Sequence, residues 1–293
     1  MTMSAVTCPS DEASGIPDKS AVSSDPMRKV RVSGGVNIRC EWRLGKSRVT
    51  QLGERDGYKV RIPRHSAPPE AIMINTGGGI AGGDTILHNV SVGDSAELTI
   101  TTQASERIYR SAHQAVTTMG VNLEVGQDAS LNWLPQDTII FDRSRLKRRI
   151  SVSLTSTSRL VLAEATVFGR QAMGEILSNC LFHDSWRVRR DNKLVFAENV
   201  RLQDESLCHL SSPAIAADAK VALTVLYCAP DAEYQLVRVR EILEACAFDC
   251  AASVWNNLLV VRALAPGPEP VRKIMASLAP PLTGRSLPRV WLT

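Results

Sequence analysis

Aromatic residues make up only 5% of the chain, and 293 residues hold just five histidines and seven cysteines. The cysteines (Cys8, Cys40, Cys180, Cys208, Cys228, Cys246 and Cys250) are odd in number and irregularly spaced, which excludes a disulfide framework and fits reduced thiols. Cys246-x-x-x-Cys250 comes nearest to a metal clip, but no second pair completes a tetrahedral set, so it reads as packing. The histidines (His65, His88, His113, His183 and His209) are scattered and there is no G-x-S-x-G elbow, which leaves nucleophilic catalysis without apparatus. No apolar run approaches the roughly 18 residues of a membrane span, and the N-terminus lacks a basic region followed by a hydrophobic one. The chain is therefore expected in the cytoplasm, with no membrane partner. A net charge of +4 is too small to imply a nucleic-acid partner. The one cationic cluster, Arg143, Arg145, Lys147, Arg148 and Arg149, is read as protection of a strand edge against edge-to-edge pairing. The competing reading, an RNA-binding surface, predicts salt-dependent RNA binding.

What is present is ordinary globular material, 44% hydrophobic and 22% charged, long enough to bury a substantial core. Five glycines crowd the stretch Asn75-Thr76-Gly77-Gly78-Gly79-Ile80-Ala81-Gly82-Gly83-Asp84. Such density implies positive φ angles or very close neighbours. A phosphate-binding loop would need Lys after the second glycine of Gly78-x-x-x-x-Gly83, and Asp84 stands there. Gly77-x-Gly79-x-x-Gly82 copies a dinucleotide fingerprint, but the residues after it read as two strands, Thr85 to Val92 and Ala96 to Thr101, joined by a tight turn at Gly93-Asp94. A β-rich nucleotide-binding enzyme using the Gly77 to Asp84 loop stays open as the alternative function, and it predicts measurable nucleotide binding.

Residues 1–27 lack periodicity and read as a disordered extension. From there to about 228 the pattern is period two, as in Val36 to Cys40, Val121 to Val125, Ile150 to Leu154 and Trp186 to Arg189, with turns at Gly45, Gly57, Gly93-Asp94, Gly126 to Asp128 and Asp191-Asn192. This predicts a mainly β body. The part from 229 to 293 changes character. Pro230-Asp231 offers a helix start, and Leu236, Val239, Leu243 and Cys246 share one helical face. Val254 to Val261 reads as a strand. Val271, Ile274, Met275 and Leu278 form a second helical face, expected to begin behind Pro270 and stop before Pro280-Pro281.

Five carboxylates, Glu70, Asp84, Glu164, Glu175 and Glu198, sit in otherwise apolar or small-residue stretches. A carboxylate such as Glu164, within Leu160 to Phe168, must be paired, hydrated or metal-bound if buried. From the residues alone, pairing with an arginine is the ordinary reading.

The glycine stretch is followed in order by Thr101 to Ser111, Leu131-Asn132-Trp133-Leu134-Pro135-Gln136-Asp137 to Phe141, Glu164 with Phe168-Gly169-Arg170, Gly174-Glu175, Ala197-Glu198-Asn199, Leu282-Thr283-Gly284-Arg285 and Pro288 to Thr293. In this order the chain, from about residue 36 to its end, resembles the urease accessory protein UreD (UreH) family. Two departures stand out. Many members carry Pro-Pro-Gly-Gly where this chain has Asn75-Thr76-Gly77-Gly78, and 201–220 matches no family motif. The resemblance implies one domain over 28–293, built of layered, coiled, β-helix-like sheets of antiparallel and mixed strands with about two C-terminal helices. It also implies a non-catalytic scaffold holding UreF-like and UreG-like accessory proteins against apo-urease during nickel insertion. No tightly bound cofactor is expected. Nickel is expected in transit along a hydrated passage lined by Asp84, Glu164, Glu198 and Glu70, and the same motifs make Asn75, Gly82, Gly83, Ser105, Tyr109, Arg110 and Glu175 further candidate site residues. Oxygen ligands suit that task, because His or Cys sites would trap the ion.

Overall fold

The computed structural model describes residues 31–64 and 66–292; the extension expected over 1–27 lies outside them. The strands are β1 (Ser33–Arg43), β2 (Lys46–Arg55), β3 (Tyr58–Arg61), β4 (Glu70–Asn75), β5 (Thr85–Val92) and β6 (Glu97–Thr102). Next come β7 (Glu106–Ile108), β8 (Thr117–Val125), β9 (Ser130–Leu134), β10 (Thr138–Ile140), β11 (Arg145–Leu154) and β12 (Arg159–Phe168). The remainder is β13 (Leu181–Arg190), β14 (Lys193–Gln203), β15 (Val221–Cys228), α1 (Ala232–Glu244), β16 (Asp249–Trp255), β17 (Leu258–Ala265) and α2 (Pro268–Thr283).

Two sheets face each other. The first runs β14-β13-β11-β8-β5-β1-β2, and the second runs β16-β17-β15-β12-β9-β6-β4-β3, with β10 and β7 continuing beside β12. Successive strands cross from one sheet to the other: β5 to β6, β8 to β9 and β11 to β12. Neighbours within each sheet are consequently parallel at the centre. This is the coiled, β-helix-like course expected of the mainly β fold. The expected tight turn at Gly93-Asp94 joins two strands as read, and it is a corner: β5 and β6 belong to different sheets and do not pair. The corners stack on one another, with Gly126 N–H on Val92 C=O at 2.8 Å, Gln127 N–H on Asp94 Oδ1 at 2.8 Å and Asp128 N–H on Thr157 Oγ1 at 2.9 Å.

Register across the parallel and antiparallel pairs of the second sheet aligns apolar residues into rows. Leu98, Leu131, Leu160, Cys228 and Leu258 form one row, and Ile100, Trp133, Leu162, Leu226 and Val260 another. Both point into the space between the sheets, where the larger core lies. The opposite face of the second sheet buries Val161, Ala163 and Val225 against Val239 and Leu243 of α1 and Ile274, Met275 and Leu278 of α2. Period two thus serves two cores at once.

Three local expectations need correction. The stretch Val254 to Val261 is not one strand, because Asn256 and Asn257 take φ of 49° and 57° and make a tight hairpin turn between β16 and β17. Asn tolerates the left-handed region better than most residues. Helix α2 does not stop before Pro280-Pro281 but runs through both. The prolines occupy its last turn, where the carbonyls they leave without donors belong to the exposed Ala276 and Ser277. Gly284, at φ 72°, then closes the helix by donating to Pro280 C=O at 3.0 Å. Finally, Arg143 to Arg149 do not guard an edge: β11 lies between β8 and β13.

The last turn of the described chain, Arg289–Leu292, is fastened to the second sheet. Trp291 Nε1 donates to Thr101 Oγ1 at 3.1 Å and Leu134 C=O at 3.2 Å, and Gln136 Nε2 donates to Val290 C=O at 3.1 Å. Truncating Trp291 removes a buried indole together with its two bonds, to Thr101 Oγ1 and Leu134 C=O. Trp291→Ala should cost about 3 to 5 kcal/mol and Trp291→Phe about 1 to 2 kcal/mol in urea unfolding.

Candidate functional site

The parity that fills the core also delivers polar groups into it. Along β11, Leu146, Arg148, Ile150 and Val152 point inward, and along β13 so do Phe182, Asp184, Trp186 and Val188. Glu164 follows Leu160 and Leu162 on the inner face of β12. Arg148 and Asp184 are register partners, and Glu164 faces them from the other sheet.

Arg148 is 2% exposed and binds both acids. Its Nε and Nη2 donate to Asp184 Oδ1 and Oδ2 at 2.9 and 2.6 Å, and its Nη1 donates to Glu164 Oε2 at 2.5 Å. Trp133 Nε1 donates to Glu164 Oε1 at 2.8 Å, and Trp186 Nε1 to Asp184 Oδ2 at 2.9 Å. Two carboxylates thus share one guanidinium, leaving one surplus negative charge when both acids are ionised. Burial pushes the Glu164 carboxyl above its ordinary value, with Arg148 and Trp133 opposing and Asp184 adding to the push.

This cluster forms one wall of a cavity of about 500 Å³ between β11, β13 and β14 on one side and β12, β15, β16 and β17 on the other. Glu198, on β14, also lines it and is paired with Arg262 of β17, whose Nη1 donates to Glu198 Oε1 at 3.1 Å. Arg262 is 55% exposed and Glu198 10%, so this pair stands where the cavity meets solvent. Glu164 and Glu198, far apart in the chain, are brought to one space.

The other expected residues lie elsewhere. Asp84 is buried beneath the glycine loop, its two oxygens accepting from Val32 N–H at 2.9 Å and Ala81 N–H at 2.8 Å. Gly79 lies against the Tyr109 ring, where an added Cβ would come within 2.5 Å of the ring, and an added Cβ on Gly82 would come within 2.7 Å of Ser111. Tyr109 Oη donates to Gly78 C=O at 2.8 Å, and its ring packs edge-on to Phe141 at 5.3 Å. Close packing thus accounts for these glycines. The chain leaves the loop into β5, so no helix N-terminus is aimed at a phosphate. Gly83 adopts φ 92° beside Arg31, and Arg110 is exposed. Asn75 and Ser105 line a separate, smaller chamber. Glu70 is half-buried on β4, its carboxyl raised by desolvation. Glu175 accepts from Arg170 Nε and Nη2 at 3.1 and 2.8 Å, which holds it below its ordinary value. Among the described residues, no group of three or more His, Cys, Asp and Glu is gathered to hold a metal.

Arg148, Asp184 and Arg262 line the cavity and are not singled out by the sequence motifs. The signal for the first two is parity: each occupies the apolar phase of an alternating strand, where a charge must find a buried partner.

Comparison with known proteins gives a consistent result. The family model described as UreD urease accessory protein matches residues 32–292. The chain is 38% identical over 293 residues to the urease accessory protein UreD of Xanthobacter autotrophicus, covering 100% of each chain. It is 40% identical over 255 residues to the UreD of a Methylobacterium species, covering 85% of this chain and 90% of that one. With the UreD of Azorhizobium caulinodans it shares 37% identity over 266 residues, 90% of this chain and 97% of the other.

The cluster's charge count separates two substitutions. Arg148→Met strands two buried carboxylates and should cost about 3 to 5 kcal/mol in chemical unfolding. Glu164→Gln leaves Arg148 with Asp184, a neutral pair, but sets an amide NH2 against one of two buried donors, Trp133 Nε1 or Arg148 Nη1, and should cost about 1 to 3 kcal/mol near neutral pH, less than Arg148→Met. The pH dependence comes from the raised Glu164 carboxyl. The folded state holds that proton to higher pH than the unfolded state, so its contribution is present below the ordinary value of 4.5 and is lost as pH rises through the folded value. Unfolding titrations should therefore show the wild-type chain losing stability relative to Glu164→Gln as pH rises from about 4.5.

Proposed function

The chain belongs to the UreD urease accessory protein family, and from that premise we propose that it is a non-catalytic scaffold in maturation of the urease nickel centre. It acts in the cytoplasm, holds UreF-like and UreG-like accessory proteins against apo-urease, and conducts nickel through its interior. No helix among the described residues is long and apolar enough to cross a membrane.

The observation that supports conduction is the polar wall of the inter-sheet cavity. An apolar core would exclude a hydrated divalent ion. Here Glu164, Asp184, Glu198 and Asp249 line about 500 Å³ of space, two carboxylates more than Arg148 and Arg262 together neutralise. A surplus charge attracts a cation, and carboxylates already engaged by donors hold it weakly enough to let it go. The scaffold role is supported by exposed large apolar side chains in three places: Trp42 and Leu44 at the β1–β2 turn, Met173 and Ile176 after β12, and Tyr234 and Val237 on α1.

The test is co-expression of Glu164→Gln and Glu198→Gln chains with the urease subunits and the other accessory proteins. Soluble complex should be recovered within about twofold of wild type, since each amide keeps one acceptor oxygen for the donors its carboxylate served, while nickel per urease active site drops severalfold. Full nickel loading in both variants ends the conduit reading. So does loss of soluble complex in step with nickel.

A further inference from the structure

The smaller chamber, beneath the glycine loop, has about 150 Å³ of space and is lined by Tyr58, Asn75, His88, Gln103, Ser105 and Glu106 among others. It shares no lining residue with the inter-sheet cavity. His88 enters it from the inner face of β5 at 4% exposure, with Tyr58 packed edge-on at 5.0 Å and Trp133 beyond at 6.4 Å. Its Nδ1 is buried and meets no hydrogen-bonding partner among the described residues. A buried ring nitrogen in that condition is costly unless something in the chamber meets it. Burial pushes the His88 pKa down to about 4, so the ring is neutral at physiological pH and offers a lone pair.

Glu106 lines the same chamber. Tyr58 Oη donates to its Oε2 at 2.9 Å, Asn75 Nδ2 to its Oε1 at 2.8 Å, and the Arg107 backbone N–H is a third donor, which leaves the carboxylate one further lone pair. Burial also raises the Glu106 carboxyl, a cost that a cation would offset. Two other charged groups are near. Arg107 is exposed, and Asp84 is engaged by Val32 and Ala81 N–H. The inward-facing groups thus comprise a neutral imidazole, one carboxylate, amides and hydroxyls. That set suits a borderline divalent cation, for which imidazole and carboxylate are favoured ligands. At about 30 Å³ per water, the space admits such an ion with several waters.

We propose that the chamber under the glycine loop is a cation site in which a first-row divalent metal binds His88 and Glu106, its remaining positions filled by water. The identity of the ion as nickel rests on the proposed conduit role; the site itself does not. Imidazole ligation makes it a tighter resting place than the carboxylate-lined cavity.

The test is equilibrium dialysis of the full chain against nickel alone, with X-ray absorption to read imidazole in the metal's shell. The ion that wild type binds most tightly should have an imidazole ligand. His88→Leu and Glu106→Gln should each weaken that ion at least about tenfold, and the imidazole signal should vanish in the first. A His113→Asn chain should keep both, as should Glu164→Gln, which separates failure of this site from failure of the conduit. Circular dichroism monitors folding; if His88→Leu unfolds, Glu106→Gln decides. Unchanged affinity in Glu106→Gln, or an imidazole signal that survives in a folded His88→Leu chain, overturns the proposal and leaves the chamber holding water only.

Discussion

Burying three charged groups between two sheets is the constraint on which the rest of this structure depends. Arg148, Glu164 and Asp184 are each under 10% exposed, and taking such ions from water is unfavourable by several kcal/mol apiece unless their bonding is nearly complete. Completing it needs elements from both sheets: the guanidinium from β11, one carboxylate from β13, the other from β12, and indole donors from β9 and β13. Apolar rows tolerate slippage in steps of two residues, because leucine beside leucine packs in more than one register. A bidentate arginine does not. The cluster therefore fixes the registry of the two sheets, and the same bonds that satisfy it keep a charged, open cavity in place of a closed apolar core.

Much of this is legible in the residues, for reasons that can be stated. Strands in the first sheet alternate cleanly because one face is buried, so Val121 to Val125 and Ile150 to Leu154 are plain to read. β12 is buried on both faces and reads as a continuous apolar run. Helices α1 and α2 announce themselves by spacing. Periodicity says nothing about which sheet a strand joins, and Gly93-Asp94, a good tight-turn signal, is a corner between sheets. Likewise Asn256-Asn257 is a turn without glycine, and the prolines of α2 sit where a missing donor falls at exposed carbonyls.

The site is only partly visible in the sequence. Glu164 stands out because it interrupts an apolar run, and an arginine is its natural partner. That partner is hidden in a charge run: Arg148 differs from Lys147 and Arg149 only in facing inward. Asp184 is obscured by the polar His183 and Ser185 beside it. His88 carries no motif, and Glu106, though inside the Thr101 to Ser111 match, is not singled out by it; their meeting in one chamber depends on how β5 and β7 approach across the sheets. The glycine stretch, the most conspicuous feature of the chain, serves close packing around Tyr109 and Ser111 and roofs that chamber through Gly78.

The Arg148–Glu164–Asp184 cluster holds one more acid than base, and a proton and a cation would compete for it. The most direct measurement is a carboxyl ¹³C NMR titration of Glu164, assigned by its loss in Glu164→Gln, with and without nickel. The account predicts titration above the ordinary glutamate value in the metal-free chain and a downward displacement when nickel is present, as ion and proton exchange at the same cluster. An ordinary titration midpoint, or one that nickel leaves unmoved, would contradict it.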